Sequence, residues 1–326
     1  MSTADRRHPT TGPPHDVTVV IVGPTASGKS DLAIALAERL MAAGQLAEIV
    51  NADSMLVYRG MDIGTAKPSA DQRARVRHHL LDIMDVTETA TVAEFQVRAR
   101  AAVADCRRRG VVPLVVGGSA LYIRAIVDDL SFPGTDAELR ARLEQELSRV
   151  GPEPLHRRLA GLDPAAAAAI LPGNGRRIVR ALEVIELTGQ PFAAKLPERR
   201  YLLPGVVQLG LAIDRPTLDA RIARRVDAMW AAGLVEEVVG LVERGLRGGR
   251  TASRALGYRQ VLQMLDGSVD EAEARRRTIA ATRRFARRQD SWFRQDPRIG
   301  WLAHDRPDLV EVALAEAGLT TTGVGD

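Results

Sequence analysis

Val17-Thr18-Val19-Val20-Ile21-Val22-Gly23-Pro24-Thr25-Ala26-Ser27-Gly28-Lys29-Ser30 is the stretch whose reading decides the fold. It opens on a short β-branched run, the pattern of a strand buried on both faces in a parallel sheet. The run stops at Gly23, and Gly23–Ser30 spells GxxxxGK[ST]. Leu32, Ala35, Leu36 and Leu40 then recur at helical spacing, so the unit reads strand, loop, helix. In such a loop the glycines let the backbone curl until successive N–H groups point at phosphate oxygens. The helix adds its N-terminal dipole, Lys29 neutralises charge, and the Ser30 hydroxyl offers a ligand to Mg²⁺. Gly23, Pro24, Thr25, Ala26, Ser27, Gly28, Lys29 and Ser30 are expected to hold a phosphate or diphosphate.

The same alternation continues outward. Residues 48–50 read as a second strand running into Asn51-Ala52-Asp53-Ser54, residues 92–108 as a helix, and residues 111–116 as a third strand ending in Gly117-Gly118. This alternation predicts a doubly wound α/β core. From about residue 132 the chain turns Ala- and Arg-rich, with helix-like segments at 137–149, 154–159, 164–171 and 176–188 between Pro and Gly breaks. Residues 206–213 read as a returning core strand, and 215–294 as helical with turns at Gly233, Gly245, Gly248-Gly249 and Gly267. The expected architecture is α/β: a P-loop NTPase-like parallel sheet flanked by helices, with a helical insertion domain. Its divisions are a disordered leader (1–16), a first core part (17–131), the insertion (132–200), core completion with basic C-terminal helices (201–319) and a flexible tail (320–326).

The chain has 326 residues, 45% hydrophobic and 26% charged, enough to bury a large core and too apolar for disorder. One cysteine, Cys106, excludes an internal disulfide, and the six histidines lack metal-ligand spacing. The polar first sixteen residues cannot form a signal peptide, and no apolar run approaches the ~20 residues of a membrane span. The expectation is a soluble, cytoplasmic protein. Of 45 basic residues only Lys29, Lys67 and Lys195 are lysines, which draws attention to the one in the loop. A compact ammonium suits that place where a planar guanidinium does not.

An NTPase ends a strand beside its phosphate loop in an acid that holds Mg²⁺, but the strand at 111–116 ends in Gly117-Gly118-Ser119. The well-placed carboxylate is instead Asp53. At the carboxyl end of the second strand it should face the same crevice as Lys29, to hold a metal through water or to act as general base. It also suits an N-cap to the following turn.

Asn51-Ala52-Asp53-Ser54-Met55-Leu56-Val57-Tyr58-Arg59-Gly60-Met61-Asp62-Ile63-Gly64-Thr65-Ala66-Lys67-Pro68 resembles the signature block of the tRNA dimethylallyltransferases. His78-His79-Leu80-Leu81-Asp82 and Val116-Gly117-Gly118-Ser119-Ala120-Leu121-Tyr122-Ile123 are similar to their next blocks. Arg176-Arg177-Ile178-Val179-Arg180-Ala181-Leu182-Glu183-Val184 and Arg254-Ala255-Leu256-Gly257-Tyr258-Arg259-Gln260 resemble later ones. The resemblance implies transfer of a dimethylallyl group from dimethylallyl diphosphate to N6 of the adenosine 3′ of a tRNA anticodon. No phosphoryl group moves: the C1–O bond breaks and diphosphate leaves, with Mg²⁺ sharing its charge. It further implies Asp53 as base, Ser119 beside the diphosphate bridge or the amine, Arg140 near the reaction centre and Arg221 on the diphosphate. Arg140 and Arg221 also read as ordinary solvated helix charges. The resemblance further implies a monomer, the usual state of family members of this length.

The resemblance places tRNA contacts on Asp53, Ser54, Met55 and Leu56, on Ser119 and Arg140, on Arg176, Arg177, Ile178, Val179 and Arg180, and on Arg254, Gly257, Tyr258 and Arg259. Gly175 stands where relatives often carry Asp, and Tyr258 reads equally as a stacking platform or a packing aromatic. Residues 271–300 hold nine arginines against four acids, a net +5 inside a chain of net +4. At helical spacing Arg276, Arg283, Arg287 and Arg294 share a face, as do Arg277, Arg284 and Arg288, while Ile279, Thr282, Phe285, Ala286, Gln289, Trp292 and Phe293 form a mostly apolar one. The expected arrangement packs one face on the core and offers another, with Arg284 and Arg288, to an RNA backbone. Two other classes share part of this pattern. A P-loop small-molecule or nucleotide kinase leaves the basic helix unused, and an RNA-binding protein with a nucleotide switch leaves Asp53 and Ser119 unused.

Overall fold

The structure is a computed structural model that describes residues 16–192 and 197–319. Residues 1–15, the tail from 320 and Lys195 lie outside the described residues, and with them nearly all of the expected leader. Two compact units are present, one built from the chain up to Asp128 and from Tyr201 onward, the other from Asp129–Arg200.

The first unit is a three-layer α/β structure. Its elements in chain order are β1 (Thr18–Val22), α1 (Lys29–Ala42), β2 (Ala47–Asn51), α2 (Ala70–Arg75), β3 (His78–His79), α3 (Val92–Arg108), β4 (Val112–Gly117) and α4 (Ala120–Val127). The strands run parallel in the order β3-β2-β4-β1 and continue into β5 (Val206–Ala212) and β6 (Ile299–Ala303). Every residue of β1 is buried because the pleat sends alternate side chains to opposite helical layers. Val19 and Ile21 meet Leu32, Leu36 and Leu40 of α1, whereas Val20 and Val22 join Phe95, Ile123 and Ile126 on the other face. Truncating Ile21 to Ala in such a site costs about 2–5 kcal/mol.

The second unit holds α5 (Ala137–Val150), α6 (Pro152–Leu162), α7 (Pro164–Ala169) and α8 (Gly175–Thr188). Its own core gathers Leu143, Leu155, Leu159, Ile178 and Leu182. Asn174 caps α8, its side chain accepting from Arg177 N, so the helix is capped one residue before Gly175.

The chain from β5 onward runs through α9 (Arg215–Ala231), α10 (Leu234–Glu243), α11 (Tyr258–Leu265), α12 (Glu271–Arg294) and α13 (Leu309–Glu316). Breaks fall at Gly233, Gly245, Gly257 and Gly267, all with positive φ. Periodicity alone does not reveal β3, which is two residues long, or β6, which contains Gly300 and follows the Asp296-Pro297 break.

Candidate active site

The phosphate loop leaves the carboxyl end of β1 and enters α1 at Gly28, which caps the helix at φ +103°. A side chain rarely adopts that conformation, which accounts for glycine here. Ala26 is held at φ +65°, a strained setting of the kind that collects at binding loops. The Ser27 hydroxyl is buried without a protein partner among the described residues. Lys29 turns its ammonium back onto Pro24 O at 2.7 Å. Burial pushes the Lys29 pKa down to about 7 and Arg225 adds to the fall, against the opposing pull of Asp53. A cation destabilised by desolvation in an enclosed site is completed by an anion.

That anion would meet more positive charge from α9. Arg221, Arg224 and Arg225 lie at i, i+3 and i+4 and line a cavity of about 560 Å³ with Lys29, Ser30 and Asp53. Arg221 donates to Ser27 O at 3.4 Å. Burial lowers the pKa of Arg225, with Asp53 and Asp31 opposing. Sequence reading isolates Arg221 and misses Arg224 and Arg225, although the i, i+3, i+4 spacing was available as a signal.

Asp53 follows β2, whose last residue shapes the turn. Asn51 accepts from Asp53 N at 2.8 Å and donates to Asp53 O at 2.9 Å and Leu80 O at 3.1 Å. Asp53 Oδ1 accepts from Met55 N at 2.9 Å. The turn-capping reading accounts for one carboxylate oxygen only. One oxygen caps the turn, and Oδ2 has no hydrogen-bond partner among the described residues.

A second cavity of about 360 Å³ shares Thr25, Ala26, Asp53, Thr65 and Arg225 with the first. Ile222, Val226, Met229, Leu256 and Phe285 make it largely apolar, with Ser54, Met55, Ser119, Arg254 and Arg288 also on its wall. Ser119 is the N-cap residue of α4, yet its hydroxyl makes no capping bond. Asp53 thus stands where a cationic cavity and an apolar one meet. Leu56 lines the first cavity, and Arg259 is exposed on α11.

Side chains absent from the sequence-based candidates brace the segment after Asp53. Glu237 accepts from Asp62 N, Ile63 N and Gly64 N at 3.0, 2.7 and 3.3 Å, and from Tyr258 Oη at 2.6 Å. Tyr258 is fully buried, and a Cβ on Gly64 would fall 2.5 Å from its ring. Of its two sequence readings burial selects packing, so Tyr258 offers no face to a base. Lys67, also buried, donates to Asp82 at 2.6 Å, Asp62 at 2.7 Å and Tyr58 O at 2.7 Å.

The helical unit bears on two further groups of candidates. Ile178 and Val179 point into its core, because only one face of α8 can meet solvent. Arg176 and Arg177 are exposed on the other side. Arg140 binds the fully buried Glu183 together with Arg180, which donates at 2.6 Å. Burial alone would raise the Glu183 pKa; the Arg140 and Arg180 hydrogen bonds outweigh it and hold the carboxyl below its ordinary range.

Along α12 the buried residues are Ala274, Thr278, Ala286, Gln289 and Phe293. Trp292, expected on the apolar face, is instead 50% exposed, one step around the helix from Phe293. Arg276 and Arg277 pair with Glu273, Arg275 with Asp227, Arg294 with Asp290 and Arg298 with Asp128. Exposed Arg284, Arg287 and Arg288 have no carboxylate partner among the described residues, so the free charge is narrower than the arginine count.

For a divalent cation, Ser30 offers a hard hydroxyl oxygen on the wall that also carries Asp53, a donor set that fits Mg²⁺. Glu48, His79 and Cys106 group their ligand atoms elsewhere in the same unit. There Arg109 occupies both Glu48 oxygens at 2.8 and 2.6 Å, and burial first, then the Glu48 charge, pushes the Cys106 thiol up to about 12. The thiol and the guanidinium-bound carboxylate form an ion-pair network there.

Residues 56–296 match the family model described as IPP transferase. A tRNA dimethylallyltransferase of Kineococcus radiotolerans is 64% identical over 304 residues, covering 93% of this chain and 96% of its own. The full-length tRNA isopentenylpyrophosphate transferase of Bacillus halodurans is 39% identical, with a TM-score of 0.67 over 93% of this chain and 96% of that one. A eukaryotic dimethylallyltransferase acting on tRNA, 24% identical, shares the fold with a TM-score of 0.77 over 93% of this chain and 78% of that one.

Proposed function

The chain belongs to the IPP transferase family, and on that footing we propose that it transfers a dimethylallyl group from dimethylallyl diphosphate to N6 of the adenosine 3′ of a tRNA anticodon. The observation that carries this reading is the unpartnered Asp53 oxygen at the junction of the cationic and apolar cavities. The diphosphate lies along the loop N–H groups, Lys29, Arg221 and Arg225, and the five-carbon group extends toward Val226, Met229 and Phe285. An exocyclic adenine amine is a poor nucleophile because its lone pair is delocalised into the ring. Asp53 accepts its proton as the N6–C1 bond forms and the C1–O bond breaks, and the electron pair of that bond leaves with diphosphate. Lys29 and the arginines stabilise the departing charge. The Ser30 hydroxyl would hold Mg²⁺, which when bound would add positive charge beside the diphosphate.

The target base must leave its stack to reach Asp53. Ser54, Met55, Ser119, Arg254 and Arg288 line the second cavity and receive it there, while exposed Arg259, Arg284, Arg176 and Arg177 meet the RNA backbone. No helix among the described residues is long and apolar enough to cross a membrane. We place the enzyme in the cytoplasm, acting as a monomer. A kinase reading explains the loop and Asp53 but gives the second cavity's apolar wall no task.

The test is mass analysis of tRNA nucleosides after incubation with dimethylallyl diphosphate and Mg²⁺. The expected product is N6-dimethylallyladenosine, with diphosphate released only when tRNA is present. ATP hydrolysis without prenyl transfer would overturn the reading.

A further inference from the structure

Gln289 is a polar residue in the apolar stripe of α12, with Ala286 one turn before it and Phe293 one turn after, all three buried. A buried amide must find partners, and this one finds them far away in sequence. Its Oε1 accepts from Thr25 N at 2.8 Å, and its Nε2 donates to Gly118 O at 2.7 Å. A backbone N–H only donates and a carbonyl only accepts, so these partners fix the orientation of the amide. The fit at Gly118 is close: a Cβ there would lie 2.3 Å from Gln289 Nε2.

Thr25 N and Pro24 O belong to one peptide unit. Its oxygen accepts from Lys29 Nζ at 2.7 Å and more weakly from Ser27 N at 3.3 Å, and its N–H is held by Gln289. An anion in the cavity draws the Lys29 ammonium toward itself. Gln289 is then the strong remaining anchor of that peptide. On its other side the amide holds Gly118, the residue before Ser119. Thr25 and Ser119 both line the second cavity with Asp53.

The geometry points to Gln289 as a positioning residue: through Thr25 N and Gly118 O it sets the diphosphate loop and Ser119 relative to Asp53. Gln289 lies on the wall of the first cavity, but both ends of its amide are engaged by backbone, so it acts through the two segments it joins. The inference rests on the proposed transfer only for its effect on turnover, since inorganic diphosphate binding can be read without any acceptor.

The test uses Gln289→Met, which keeps length and loses both hydrogen bonds, alongside Gly118→Ala, which displaces the amide from the opposite side. The account expects inorganic diphosphate affinity and the single-turnover rate each to fall about tenfold or more in both variants, as loss of paired buried hydrogen bonds implies. The affinity for an anticodon stem-loop should stay within about twofold. The double variant should be little worse than either single one, because both remove the same link. Wild-type diphosphate affinity in Gln289→Met would overturn the assignment, as would a parallel loss of Tm and of RNA and diphosphate binding, which marks a structural role. Absence of prenyl transfer by the unaltered protein sinks the proposed function instead, and the diphosphate titration still decides on Gln289.

Discussion

At the loop between β1 and α1 one lysine folds back onto Pro24 O, and its pKa is pushed down to about 7 by burial. Along α12 the guanidinium groups of Arg284 and Arg287 stand in solvent, with no carboxylate partner among the described residues. Both regions present positive charge suited to phosphate, but they respond to different variables. Buried charge is strong, pH-sensitive and weakly screened; exposed charge is individually modest and strongly salt-dependent. The contrast separates a site that must act on one leaving group from a surface that must hold a polyanion.

The contrast breaks most severely at the loop. Lys29→Ala removes the compact charge facing the departing diphosphate. Its kcat/KM for dimethylallyl diphosphate should fall by about 10²- to 10³-fold, measured in steady state with saturating tRNA. Anticodon stem-loop affinity should stay within about twofold.

A pH titration sharpens the same contrast. Below its pKa Lys29 is charged in both the free and the bound loop, so binding takes up no proton there. Above about 7 the free lysine is neutral, and binding an anion restores its proton. Diphosphate affinity should therefore weaken as pH rises through that value, by up to about tenfold per unit, with proton uptake seen by calorimetry in two buffers. Lys29→Arg, whose charge is permanent, should lack this uptake and so separates it from the titration of diphosphate itself.

The smallest expected effects lie on α12. Replacing Arg284 and Arg287 with Gln should weaken RNA binding about tenfold and lower the slope of log affinity against log salt by about 2. The same change at Arg276 and Arg277, already tied to Glu273, should alter affinity by less than about twofold. Equal slopes for the two pairs would remove the distinction between free and tied arginines.

The local parts of the molecule were legible. The β1 run, the loop glycines, Lys29 and Asp53 act through neighbours a few residues away, so their pattern survives in the linear sequence. What escaped depends on distant partners. Gln289 meets a loop 264 residues earlier, and Glu237 braces a segment 175 residues away. Neither has a spacing that marks it. The arginines of α12 misled by number, because acids on other segments, Asp227 and Asp219 among them, neutralise part of the stripe. Tyr258 misled by type, since an aromatic suited to stacking is equally suited to packing against Gly64.

The central claim is that Asp53 serves as the base while its neighbours bind. The most direct measurement is the single-turnover rate of Asp53→Asn with dimethylallyl diphosphate and tRNA both saturating. Asparagine keeps an oxygen for Met55 N and loses the proton acceptor. The account expects the rate to fall by about 10²- to 10⁴-fold with tRNA affinity within about twofold. A variant that transfers the prenyl group at the unaltered rate would contradict it.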